Sequence, residues 1–130
     1  MTASDQPSIA AGQEQQDLDP AALARLKRFG GSKLLVEMIA LYLGAAPERI
    51  AVASTAESAG DVAAAESALH SLKSSSAQLG AMRMSRLCER GELIARAGTL
   101  SGVREIIDAM EAELPRVREW LVGARNEAGT

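Results

Sequence analysis

His70 is the one histidine among 130 residues, and it lies in the run Ala68-Leu69-His70-Ser71-Leu72-Lys73-Ser74-Ser75-Ser76-Ala77-Gln78-Leu79-Gly80-Ala81. A neutral imidazole open to water offers one ring nitrogen with a free lone pair, a nucleophile able to attack an acyl phosphate and hold its phosphoryl group. On a helix, Lys73 stands one turn beyond the ring. There it disfavours the protonated imidazole and offers a mobile point charge for phosphoryl oxygens. The same face carries Glu66, Ser74 and Ala77, flanked by Ala63, Ser67 and Ala81. A solvated helix face ordinarily carries long charged side chains. This one is small, so the imidazole stands above a smooth patch that another protein can approach. Glu66 works against the chemistry by favouring the imidazolium and repelling phosphate, and it reads as a rim residue that swings aside.

Whether His70 faces solvent depends on the helix that carries it. Val62, Ala65, Leu69, Leu72, Ser76 and Leu79 recur every three or four residues and predict one buried seam. At 3.6 residues per turn, His70 projects roughly 140° from the centre of that seam. Upstream, residues 1–17 are too polar to offset the entropy of ordering them and are expected to form a disordered tail. Asp19 and Pro20 suit a helix start. Leu23, Leu26 and Phe29 then make one short stripe that Gly30-Gly31 ends. Ser32 precedes a second helix whose Leu35, Met38, Ile39, Tyr42 and Leu43 form a buried face. Pro47 either kinks that helix or starts a new segment running to Ala59. After Gly80 come a helix with Met84, Leu87, Cys88 and Ile94, and a last one from near Thr99 with Val103, Ile106, Met110, Leu114, Val117 and Leu121. Pro115 is expected to bend the last helix or end it one turn early. The pattern predicts an all-α protein: several amphipathic helices joined by short glycine-containing turns and packed as an antiparallel up-and-down bundle over residues 18–125, followed by a C-terminal tail at 126–130.

Composition narrows the function classes. Fourteen basic against 17 acidic residues, net −3, provide no electrostatic footprint for nucleic acid. One cysteine, Cys88, makes neither an internal disulfide nor a thiolate metal cage, which fits the cytoplasm. The N-terminus lacks a signal-peptide pattern, and no stretch is expected to span a bilayer, so no membrane partner is anticipated. There is no nucleotide-binding glycine loop and no acidic cluster of the kind that holds Mg²⁺.

The His70 run, with Leu at the second position after the histidine, Lys73 at the third, three serines and then Leu79-Gly80-Ala81, resembles the signature of histidine-containing phosphotransfer (HPt) domains. Leu34-Leu35-Val36-Glu37-Met38 through Ala46-Pro47-Glu48, and Leu87-Cys88-Glu89, extend the likeness, so that it covers roughly Leu18 to Leu121. The resemblance implies a four-helix bundle with a short N-terminal helix. It further implies that Nε2 of His70 accepts phosphate from a receiver-domain aspartyl phosphate and passes it to another receiver. Lys73 matches the family's lysine and Gly80 the glycine that closes the motif. Ser74 departs from it, because the family commonly has glycine there. If the turn centres on Gly80-Ala81, antiparallel pairing sets Gly91 and Glu92 opposite His70, with Arg96 one turn beyond. Many family members place an amide or a basic side chain at that level. Here Glu92 is either an orienting acceptor for the ring and Arg96 a phosphate contact, or the two are a plain surface pair.

On this basis the chain is expected to be a phosphocarrier, without ATP or metal machinery of its own. Its partners would be response-regulator receiver domains, which supply the Mg²⁺, and a hybrid histidine kinase. It is expected to be a cytoplasmic monomer that docks through Ala63, Glu66, Ser67, Ala77, Gly80 and Ala81. A second possibility is a helical adaptor using the same patch without carrying phosphate. The phosphoacceptor helix pair of a histidine kinase fits less well, since that family usually has an acidic residue directly after the histidine and a proline five positions on, where this chain has Ser71 and Ser75. A haem or di-iron bundle lacks ligands.

Overall fold

The structure is a computed structural model and describes residues 17–129. Four helices follow one another: α1 (Pro20–Ala59), α2 (Val62–Gln78), α3 (Met82–Arg96) and α4 (Val103–Ala128). Among the described residues the sole β pairing is an isolated bridge between Leu18 and Ala81. α1 packs on α2 and α4, and α3 likewise packs on α2 and α4, so each helix touches its two chain-order neighbours around a closed ring. Short links enforce this up-and-down order. The all-α bundle expected from periodicity, with the four helices that the family resemblance implies, is the fold observed.

Local chemistry sets the helix ends. Asp19 Oδ1 accepts from the Ala21 amide at 3.0 Å ahead of Pro20, and Asp61 Oδ1 accepts from Ala64 at 3.1 Å at the start of α2. Such caps satisfy amides that have no partner inside the helix. Gly31 breaks the helical path inside α1 with φ 81° and ψ 179°, which sets off the short N-terminal helix that Gly30-Gly31 predicts. Pro47 and Pro115 end nothing: α1 continues to Ala59 and α4 to Ala128. Proline removes one hydrogen bond to the carbonyl four residues back. For Pro115 that carbonyl belongs to exposed Glu111, where water is available. The last helix begins at Val103 rather than near Thr99, because Gly102 turns through the left-handed region at φ 88°. Residues 126–128, expected in a tail, extend α4. The expected N-terminal tail lies outside the described residues except for Asp17, whose carboxylate pairs with Arg86 and Arg116.

The core joins Leu35, Ile39 and Tyr42 of α1 to Leu69 and Leu72 of α2, Met84, Leu87 and Cys88 of α3, and Ile107, Met110, Val117 and Leu121 of α4. The predicted α2 seam is buried from Ala65 to Leu79, with Val62 half-buried. By length and composition alone, α1 contains a stretch apolar enough to cross a membrane, at mean hydropathy 1.3. In this fold 22% of the stretch is buried, and its helix contributes Leu35, Ile39 and Tyr42 to the core.

Candidate functional site

α2 presents His70 to solvent, its side chain 60% exposed, beside exposed Ala63 and Ser67 and half-buried Glu66 and Ala77. α3 runs antiparallel to it and packs against it at Gly91, where a Cβ would sit 2.9 Å from Leu69 Cδ1. That close approach lets Glu92 reach across to α2. Glu92 is 2% exposed, and all its partners are on this site. Oε2 lies 2.7 Å from His70 Nδ1 and 2.5 Å from Arg96 Nη2. Oε1 faces the Lys73 ammonium at 2.7 Å. At the rim, Arg96 Nε contacts Glu66 Oε2 at 3.4 Å. Ala63, Glu66, Ser67, His70, Glu92 and Arg96 together line an open hollow of about 360 Å³.

The electrostatics assign the proton on the ring. Burial by itself would push the Glu92 carboxyl up, but the contacts from Lys73 and His70 outweigh it and hold the group below the usual carboxylate value. Glu92 is therefore ionised and accepts only, so Nδ1 must donate. In the neutral ring that leaves the lone pair on Nε2. The arrangement is a solvent-facing nucleophilic nitrogen whose other nitrogen is tied to a buried anion, with two cations gathered on the same anion.

The expected neighbours separate into those brought together and those left apart. Glu92 and Arg96 join His70 and are more than an i, i+4 surface pair. Lys73 belongs to the cluster too, but it is engaged by Glu92 rather than free. Ser74 is exposed, and among the described residues it makes no hydrogen bond to the cluster. Gly80 and Ala81, expected on the docking face, are buried. Asp19 N donates to Gly80 O at 2.8 Å and Leu18 bridges Ala81, so the N-terminal segment covers both residues and withdraws them from any partner. What sequence reasoning missed was the burial of Glu92. The signal was present, since Glu92 occupies a position in the buried stripe of α3 made by Met84, Leu87, Cys88, Gly91 and Ala95. Also missed was a buried polar link beneath the site, Tyr42 Oη to Ser76 Oγ at 2.8 Å, which ties α1 to α2. Ser85 Oγ donates to the Lys73 carbonyl at 3.1 Å and ties α3 to the same turn.

A family model described as the Hpt domain matches residues 37–120, a span that holds the whole cluster. The crystal structure of histidine-containing phosphotransfer protein B (HptB) from Pseudomonas aeruginosa PAO1 is similar, at 28% identity and a TM-score of 0.80, covering 85% of this chain and 96% of that one. The HPT domain of the Hpt sensor hybrid histidine kinase from Shewanella shares the fold at 23% identity and a TM-score of 0.72, covering 86% of this chain and 96% of that one. No curated protein matches the chain.

Proposed function

Because this chain belongs to the Hpt domain family, we propose that His70 is its phosphoacceptor in a multistep two-component relay, taking a phosphoryl group from a receiver-domain aspartyl phosphate and handing it to another receiver. One observation carries the assignment: the exposed ring is held at Nδ1 by buried Glu92, which leaves Nε2 as the outward nucleophile. In transfer, the Nε2 lone pair forms the N–P bond while the P–O bond breaks and its pair stays on the departing aspartate carboxylate. The ring gains positive charge as the bond forms, and the Glu92 carboxylate against Nδ1–H offsets it. Lys73 and Arg96 are the cations for the phosphoryl oxygens. The receiver brings the Mg²⁺, and this chain contributes the nucleophile and a docking face around Ala63, Glu66, Ser67 and Ala77. In this reading the protein is a cytoplasmic monomer whose partners are receiver domains and a hybrid histidine kinase, a phosphocarrier without ATP chemistry of its own.

The test is to mix the purified protein with a phosphorylated receiver domain and Mg²⁺ and to look for acid-labile, base-stable label on this chain. Label that is absent from His70→Gln, in a variant that keeps its helicity, is the expected result. If several receivers transfer to a control Hpt domain and leave this chain unlabelled, the carrier assignment fails, and the adaptor function through the same face takes its place.

A further inference from the structure

Among the described residues Arg96 is the one cation lining the hollow beside His70, and it is already held by two carboxylates. The two holds are unequal. Glu92, 2% exposed, grips Nη2 at 2.5 Å, whereas Glu66, 36% exposed, touches Nε at 3.4 Å. A long contact between partly exposed groups is weak and easily exchanged, while a short one to a buried carboxylate persists. The resting cluster is also balanced, because Glu66 and Glu92 offset Lys73 and Arg96 when the ring is neutral. A phosphoryl group on Nε2 would add a charge of about −2 to this balanced set. The anion that can yield is Glu66.

We infer that Glu66 is a positioning residue: it is the resting counter-ion of the Arg96 guanidinium and surrenders it to the phosphoryl group, thereby setting how much phosphohistidine the protein holds at equilibrium. The inference rests on the carrier function proposed above and adds the residue that tunes it. Glu66 keeps the guanidinium extended over the hollow before phosphate arrives. Its displacement, together with its repulsion of the new dianion, lowers the affinity of the site for the phosphoryl group and so keeps that group transferable. Glu66→Gln removes the competitor without removing the guanidinium, and the phosphorylated state is then favoured.

The experiment is the final partition of phosphate between this chain and one phosphorylated receiver domain, an equilibrium quantity independent of how fast the two dock. Glu66→Gln, and Glu66→Ala as a second variant of the same site, should shift the partition toward phosphohistidine about three- to tenfold at low salt. The shift should shrink in about 1 M salt, where the Debye length is ~3 Å. In an Arg96→Gln background the Glu66 substitution should shift the partition less, because the competition for the guanidinium is gone and only the direct repulsion remains. No shift in the single variants, or an undiminished shift in the Arg96→Gln background, overturns the inference. A wild-type protein that takes no phosphate from the receiver while a control Hpt domain does would instead fail at the level of the carrier function.

Discussion

Glu92 Oε2 lies 2.7 Å from His70 Nδ1, and the two side chains occupy opposite environments, 2% and 60% exposed. A buried anion thus holds a solvent-facing ring by the nitrogen that does not face out, and which nitrogen reacts follows from that contact. The expected consequence is a ¹⁵N NMR spectrum in which neutral His70 is the Nδ1–H tautomer. Glu92→Gln should weaken this preference and slow transfer by about tenfold, equivalent to ~1.4 kcal/mol of transition-state stabilisation. A variant with the wild-type tautomer and wild-type rate would show that Glu92 does not orient the ring.

Acid should remove the contribution of Glu92 to stability. Its carboxyl lies below the ordinary value in the folded state, where Lys73 and His70 outweigh the effect of burial. The unfolded chain then binds the proton more readily, so this stabilisation is complete above a pH of about 4.3 and disappears as pH falls through the folded value. Urea midpoints of wild type and Glu92→Gln, measured down a pH series, should converge at the acid end. A gap that widens toward low pH would reverse the sign.

The Tyr42–Ser76 bond predicts a cost beneath the site. Tyr42→Phe leaves a buried Ser76 hydroxyl unpaired and should destabilise the bundle by about 1 to 3 kcal/mol, with Tyr42→Phe/Ser76→Ala costing less than the two single changes added together. Burial also pushes the Tyr42 phenol up to about 12. Between ~10, where an unfolded tyrosine ionises, and about 12, stability should fall as pH rises, because only the unfolded state releases its proton. Denaturation midpoints across that window, compared with Tyr42→Phe, measure the effect.

Two glycines with similar backbones should respond differently to alanine. Gly80 has φ 83° and a Cβ there would meet the Asp19 carbonyl oxygen, whereas Gly60 has φ 73° with open space around it. Gly60→Ala should cost the left-handed penalty alone, about 1 to 2 kcal/mol. Gly80→Ala adds a backbone collision and should cost more, with loosening of the segment at Leu18 and Asp19 visible by amide exchange. Equal midpoints for the two variants would mean that the N-terminal segment does not press on Gly80.

Periodicity alone carried the α2 seam, the all-helical bundle and the outward direction of His70, because each follows from 3.6 residues per turn acting on local side chains. The composition of the run around His70 likewise carried the family likeness. Counting outward from Gly80-Ala81 even reached Glu92, since antiparallel helices joined by a tight turn pair residues at fixed sums. Other features belong to the tertiary structure alone. That Glu92 is a buried carboxylate, shared by His70, Lys73 and Arg96, depends on how closely α3 approaches α2 at Gly91, a distance between helices that no single-helix pattern contains. That Gly80 and Ala81 are covered depends on where the segment before α1 returns across the turn. The persistence of α4 through Pro115 depends on which side of the helix meets water. Local sequence sets the conformation and face of each helix, whereas burial and charge pairing are properties of surfaces brought together from distant parts of the chain.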